Sequence, residues 1–96
     1  MKFFFHPDAN EEFAAAVSYY EDCQPGLGLE FAEELYATVA RIRAYPTAWT
    51  LLSKATRRCL LNRFPYGLIY QRTSSTFRII AVSNLHQRPG YWKDRK

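Results

Sequence analysis

Residues 57–70 read RRCLLNRFPYGLIY, two runs of large aliphatic and aromatic residues separated by a proline. This composition predicts a β-strand on each side of a turn at Pro65 and Tyr66. A third run, TFRIIAVS, follows a Ser-Ser turn and predicts another strand. The predicted strands span residues 57–64, 67–73 and 76–83. Because turns this short join only antiparallel neighbours, the three strands should form a β-meander.

Two further short strands are predicted outside the meander. Residues 2–5 form an apolar run that ends at His6 and Pro7, and Leu51 with Leu52 forms another. In the meander, alternation places apolar and polar residues on both faces of the first strand. The pattern alone therefore leaves open which face packs on the rest of the protein.

A helical period dominates the residues between the first strand and the meander. Asp8 and Glu11 have the spacing of a capping box, which predicts a first helix over residues 8–22. Pro25 and its neighbouring glycines end this helix, and a second helix follows and stops at Pro46. With so short a loop between them, the two helices should form an antiparallel hairpin.

These elements predict one α+β domain over residues 1–96. Its order is an N-terminal strand, an antiparallel helical hairpin and an antiparallel β-meander with a short C-terminal tail. A chain of 96 residues has room for a single hydrophobic core. Apolar runs are too short to cross a bilayer and the first residues lack a cationic leader, so we expect a cytoplasmic protein without membrane contact.

Metal and cofactor sites are not expected. Cys23 and Cys59 are too few for a zinc knuckle or a disulfide framework, which predicts reduced thiols. His6 and Asp8 are close in sequence, but eight of the nine carboxylates lie in the helical half, where they suit helix caps and solvated faces. The sequence contains no glycine loop of the kind that binds a nucleotide phosphate after a strand.

Charge is divided unevenly along the chain. Residues 1–48 contain three cations and eight anions, a net charge of −5. Residues 49–96 contain ten cations and one anion, a net charge of +9. Surfaces normally mix the two signs, so this half predicts an anionic partner, although a solvated strand face covered by arginines is the simpler alternative.

Aromatic residues interleave with these cations, a mixture that suits nucleic acid or an acidic protein segment. We expect folding to gather the cations and rings on one exposed surface. The predicted contact residues for a target or partner are Arg57, Arg58, Arg63, Arg88, Tyr91 and Trp92.

Several strings together resemble the RelE/ParE superfamily of toxins from bacterial type II toxin–antitoxin modules. They are HPDANEEFAAAVSYYE, GLGLEFAEEL, RRCLLNRFPYGLIY and FRIIAVSNLHQRPGYWKDR, and they cover nearly the whole chain. The resemblance implies the α+β fold above, a role in growth inhibition and plasmid stabilization, and a cognate antitoxin as partner. It also implies a target, which is either DNA gyrase or the ribosome with its messenger RNA.

One branch of this superfamily cleaves messenger RNA on the ribosome. Such a reaction needs a base, an acid and cations that stabilise the phosphate in the transition state. The resemblance places the terminal catalytic tyrosine at Tyr91. The candidate set for a metal-independent endoribonuclease is Arg63, His86, Arg88 and Tyr91.

The sequence departs from the family pattern at two positions. Members that end in RPGYW commonly carry a histidine where this chain has Asn84, and the ribosome-dependent toxins often carry an arginine where it has Leu85. This incomplete set favours the ParE-like branch, which resembles gyrase inhibitors that are not enzymes. The alternatives are a ribosome-dependent endonuclease and a degenerate toxin retained as an antitoxin-binding partner.

Overall fold

The structure, a computed structural model, describes residues 2–96. Two helices pack on one face of a five-stranded sheet, which confirms the predicted α+β class. The elements are β1 (Lys2–Phe5), α1 (Pro7–Cys23), α2 (Leu27–Ala44), β2 (Thr50–Ser53), β3 (Thr56–Leu60), β4 (Tyr66–Arg72) and β5 (Thr76–Asn84). No helix in this range is both long and apolar enough to cross a membrane.

The sheet order is β1-β5-β4-β3-β2. Strands β3 to β5 form the predicted antiparallel meander. The predicted Leu51-Leu52 strand, β2, extends it as an antiparallel edge strand. Strand β1 pairs in parallel with β5. Parallel strands need a long connection, and the connection between these two contains the helical hairpin. A bulge lies between Ile69 and Tyr70 in the β4–β5 ladder, where Ile69 pairs with Ala81 but Tyr70 pairs with Ile79.

The core lies between the helices and the sheet. Leu35 and Ile42 of α2 are fully buried, and they pack in one cluster with Tyr70, Phe77 and Ile79 from the sheet. The hydroxyl of Tyr70 donates to the Pro46 carbonyl at 2.7 Å, which satisfies the one polar atom of this buried ring. The sequence left open which face of the sheet packs on the rest of the protein. The face that carries Tyr70, Phe77 and Ile79 packs on the helices.

The residues around Pro65 anchor the meander to the hairpin. Phe64 lies 4.8 Å from Tyr20 of α1 and 5.1 Å from Phe31 of α2 between ring centroids. Tyr66 also lies 5.1 Å from Phe31, in an edge contact. Edge-to-face contacts of this kind stabilise beyond the area they bury, so this turn joins both helices to the sheet.

The predicted end of the strand over residues 57–64, which is β3 in the structure, is wrong. Strand β3 ends at Leu60 instead of residue 64. The Leu61 amide still donates to the Tyr66 carbonyl at 2.9 Å, but the two amides after it bond to α2. Those of Asn62 and Arg63 both donate to the Glu34 carboxylate, the latter at 2.9 Å. A carboxylate thus replaces a neighbouring strand as their acceptor.

The predicted capping box at Asp8 and Glu11 is also wrong. Helix α1 begins at Pro7, and the cap is His6, whose Nδ1 accepts from the Asp8 amide at 3.0 Å. Proline suits the first helical position, because an N–H there would have no partner within the helix. Asp8 therefore lies inside the first turn, where its charge favours the helix dipole.

Gly28 is a position where the two helices approach each other closely. A Cβ at this position would lie 2.6 Å from the Val17 carbonyl oxygen and 3.0 Å from the Glu21 Cβ. The Glu21 carboxylate also accepts from the amides of Gly26 and Gly28, which satisfies two donors at the start of α2.

Gly28→Ala is therefore expected to lower the free energy of unfolding by about 1–3 kcal/mol, because the helices must separate to admit the methyl group. Urea denaturation monitored by circular dichroism measures the change. Leu29→Ala is the control, since Leu29 is 65% exposed on the same helix and its truncation should change stability by less than about 0.5 kcal/mol. Equal stability of Gly28→Ala and the wild type would show that the helices have room to spare.

Candidate functional site

A groove of about 570 Å³ lies on the sheet face away from the helices. Strands β2 to β5 and the C-terminal segment, residues 85–96, form its walls. Three cations line it, Arg58, Arg88 and Lys93, and the residues that line it include no carboxylate. We call this feature the basic groove. Its charge suits phosphate or carboxylate groups of a partner.

Arg58 packs over Gly67 of β4 in the basic groove. A Cβ on Gly67 would lie 3.1 Å from the Arg58 Cγ and 3.2 Å from its Cδ, so a larger residue at this position would require the arginine side chain to shift. The Arg58 Nε is buried and has no hydrogen-bond partner in the described part of the chain. A buried guanidinium donor without an acceptor is costly, which makes Arg58 a natural contact for an incoming anion.

The C-terminal segment covers part of the open sheet face. Its turns are closed by bonds such as Lys93 N–H to the Gly90 carbonyl at 3.0 Å. Trp92 is only 9% exposed and packs in a second apolar cluster with Ile69, Ile80 and Ala81. The segment therefore has a fixed position, and it places Arg88 and Lys93 along the groove.

A carboxylate on α1 holds this segment in place. Glu12 accepts from the Val82 amide at 3.0 Å and from the Tyr91 hydroxyl at 2.8 Å. Both terminal nitrogens of Arg95 donate to the same carboxylate, each at 2.8 Å. We call Glu12, Val82, Tyr91 and Arg95 the Glu12 cluster. The two charged side chains are mostly buried, with Glu12 20% and Arg95 14% exposed.

Arg95 makes further contacts that strengthen the Glu12 cluster. Its Nη1 donates to the Ile80 carbonyl at 2.9 Å, and its Nε lies 3.6 Å from the Asp8 carboxylate. The guanidinium also lies over the Tyr91 ring, 5.0 Å from the centroid. Burial, together with the bond to Glu12, raises the pKa of Tyr91 to about 12. At neutral pH the Tyr91 hydroxyl is therefore a hydrogen-bond donor and a poor base.

The predicted contact residues do not share one surface. Arg58, Arg88 and Trp92 all line the basic groove. Arg57 lies opposite Tyr70 on the helix-facing side, and its Nη1 donates to the Trp49 carbonyl at 2.8 Å.

Arg63 forms an ion pair with Glu30 of α2 at 2.7 Å. Arg95 is paired with Glu12, so two of the ten C-terminal cations are neutralised by helical carboxylates. The expectation of one continuous cationic surface is therefore wrong. A smaller set of cations, those of the basic groove, remains together.

The four residues of the predicted endonuclease set also have different surroundings. Arg88 lines the basic groove, whereas His86 lines a neighbouring hollow between α1 and β5, which shares Asn84 and Gln87 with the groove. Arg63 is paired with Glu30, and Tyr91 with Glu12. Within residues 2–96, no three or more His, Cys, Asp or Glu side chains come together as a metal site.

Sequence reasoning did not single out Glu12, whose role depends on residues 70 and more positions away. One signal was present, because Glu12 is three residues after Ala9 and four before Ala16, both of which are buried. Helical spacing thus places this carboxylate beside the apolar stripe, where a charged side chain needs a partner.

Comparison with known proteins identifies the fold. No protein-family model and no curated protein matches the chain. A chain from a solved structure, the chromosomal ParDE TA system from P. aeruginosa, matches with a TM-score of 0.77 and 13% sequence identity. The match covers 90% of this chain and 97% of that chain. The protein therefore has the RelE/ParE toxin fold, and the fold expected from the sequence resemblance is confirmed.

Glu12→Gln should lower the free energy of unfolding by about 1.5–3 kcal/mol, because it removes the charge that Arg95 and Tyr91 bind. Thermal and urea denaturation measure this loss. Glu11→Gln is the matched control, since Glu11 is the exposed neighbour on the same helix. If both variants lose the same small amount, the Glu12 cluster contributes nothing beyond surface charge.

Alkaline titration should detect Tyr91 as one of two late-titrating tyrosines, because burial also raises the pKa of Tyr70 to about 12. Its pKa is raised from 10 to about 12 in the folded state, so its contribution to stability is present below pH 10 and is lost as pH rises toward 12. Tyr91→Phe should reduce the fall in unfolding free energy over this interval and remove a late component of tyrosinate absorbance. Tyr45→Phe, at a 66% exposed residue, should change neither.

Proposed function

We propose that this protein is the toxin of a type II toxin–antitoxin module and belongs to the ParE-like branch. It would act in the cytoplasm, inhibit DNA gyrase and be neutralised by a cognate antitoxin. The shared fold with a chain of a ParDE TA system supports the toxin class. The resemblance of the quoted sequence strings to the RelE/ParE superfamily supports the same class independently.

The observation that carries the choice of branch is the position of Tyr91. Its hydroxyl donates to Glu12 and its pKa is raised, so it is poorly suited to accept a proton from a ribose hydroxyl. Arg88 lines the basic groove, whereas His86 lines the neighbouring hollow. This arrangement supports a protein that inhibits by binding over one that cleaves RNA.

The basic groove is the surface that we assign to the target. Arg88 and Lys93 are exposed on the C-terminal segment and Arg58 lies on the sheet below, so acidic groups of a partner could meet all three cations. Such contacts pair charges across an interface and give it specificity. An antitoxin with an acidic segment would neutralise the toxin by covering the same groove.

Induced expression in a bacterium tests the proposal. DNA synthesis should stop before protein synthesis when both are followed by pulse labelling. The purified protein should inhibit supercoiling by gyrase and leave messenger RNA on translating ribosomes uncut. Specific cuts with unaffected gyrase would show an endonuclease. Harmless expression of a folded protein without any antitoxin would show a degenerate toxin.

The double variant Arg88→Gln/Lys93→Gln should raise the concentration needed for half inhibition of gyrase about tenfold or more, because two charged contacts of at least about 0.7 kcal/mol each are lost. Supercoiling assays over a concentration series measure this shift. Lys2→Gln/Arg43→Gln is the control, with the same change in net charge at exposed positions outside the groove. Equal inhibition by both variants would exclude the groove as the target surface.

A further inference from the structure

Two of the three cations in the basic groove lie on the C-terminal segment. Arg88 and Lys93 are exposed, and the residues between them form only short turns. Exposed turns of this kind stay ordered only where other contacts hold them. The affinity of the groove therefore depends on what fixes the segment, because a partner that had to order it on binding would bind more weakly.

The start of the segment is fixed by a turn. The Leu85 amide donates to the Pro65 carbonyl at 2.9 Å. The Gln87 amide donates to the Asn84 carbonyl at 3.0 Å, and the Gln87 Oε1 accepts from the Asn84 amide at 3.0 Å. Arg88 follows directly in the chain, so its backbone begins at a fixed point.

The end of the segment is fixed by the Glu12 cluster. Lys93 lies between Tyr91 and Arg95 in sequence, and Glu12 accepts from both of these side chains at 2.8 Å. Trp92 adds its apolar contact with the sheet. A carboxylate on α1 thus determines where the backbone of Lys93 lies, although Glu12 is not among the residues that line the groove.

Gly90 sets the course of the Lys93 side chain. The φ of Gly90 is +80°, which favours glycine, and its carbonyl accepts from the Lys93 amide at 3.0 Å. A Cβ on Gly90 would lie 2.8 Å from the Lys93 Cε and 3.3 Å from its Nζ. The lysine side chain therefore lies back over this glycine, and the position of its ammonium group follows from the backbone that the Glu12 cluster holds.

We propose that Glu12 is a positioning residue of the target-binding site, which orders the basic groove from outside it. By holding the two residues that flank Lys93, the carboxylate presents Lys93 and Arg88 in a fixed arrangement beside Arg58. The inference rests on the proposed function only in assigning the groove to the target. It gives Glu12 a role opposite to its charge, because a carboxylate near a cationic groove repels an anionic partner, whereas this one promotes its binding.

Glu12→Gln separates positioning from charge. The substitution raises the net charge of +4 by one, so charge alone predicts tighter binding of an anion. Positioning predicts about tenfold weaker binding, because the partner must then order the segment and its side chains. The probe is acetyl-hexaglutamate-amide, added to the purified full chain at low ionic strength. NMR titration of the Arg58 Nε–H signal measures its affinity, since this buried donor has no acceptor within residues 2–96.

Three further variants serve as comparisons. Glu11→Gln makes the same charge change at the exposed neighbour and should bind the peptide at least as tightly as the wild type. Arg95→Lys keeps the net charge but loses the forked contact with Glu12, so it should bind about threefold more weakly or worse. Arg43→Lys, at an exposed position of α2, should change nothing. Circular dichroism at the assay temperature confirms that each variant is folded.

Backbone order parameters from NMR relaxation provide a readout that a merely structural role would not move. In Glu12→Gln they should fall to about 0.6 or below at residues 90–95 and stay unchanged at residues 66–72 of β4. A role in stability alone would lower the free energy of unfolding, but it would leave the order of the segment and the peptide affinity of the folded protein unchanged.

Three outcomes would overturn the inference. Equal or tighter peptide binding by Glu12→Gln would show that charge dominates. Unchanged order at residues 90–95 would show that other contacts, such as that of Trp92, hold the segment. Failure of the wild type to bind the peptide would show that the groove does not present its cations to an anion. Gyrase takes no part in these measurements, so a protein that binds the peptide as expected but leaves gyrase active would contradict the proposed function alone.

Discussion

The carboxylate of Glu12 is the contact on which the arrangement of the C-terminal half depends. Strand β1 ends at Phe5, so it covers the edge of β5 only as far as Ile79. Beyond that point the Val82 amide and the Ile80 carbonyl need other partners, which Glu12 and Arg95 supply. A mostly buried ion pair does not by itself guarantee stability, but removing one member leaves the other charge and the strand edge without partners.

This contact also explains why the open face of the sheet carries a groove. With Tyr91 and Arg95 bound to Glu12, Trp92 lies between them in sequence and packs onto Ile69 and Ile80. The segment consequently forms one wall and β2 with β3 the other, so the cations come from parts of the chain far apart in sequence. The groove depends on tertiary contacts. A substitution of Glu12 on α1 would therefore alter the groove, although Glu12 does not line it.

The sequence predicted the elements that depend on local residue patterns. The helical hairpin, the meander and the Leu51-Leu52 strand follow from periodicity, proline and short turns, and all are present. The helix start, the end of β3 and the common surface for cations were wrong. Each of these depends on a side chain that finds its partner elsewhere, such as His6 at the helix start or Glu34 beneath residues 62 and 63. The parallel position of β1 likewise follows from packing and has no local signal.

The uneven charge of the two halves therefore has two physical roles. Carboxylates of the helices, Glu12 and Glu30, bind Arg95 and Arg63, and this part of the asymmetry attaches the basic half to the hairpin. The cations of the basic groove form no ion pair within residues 2–96. Internal neutralisation thus selects which cations a partner can reach. Since eight of the nine carboxylates lie on the helices, the sheet keeps a cationic groove that another molecule can neutralise.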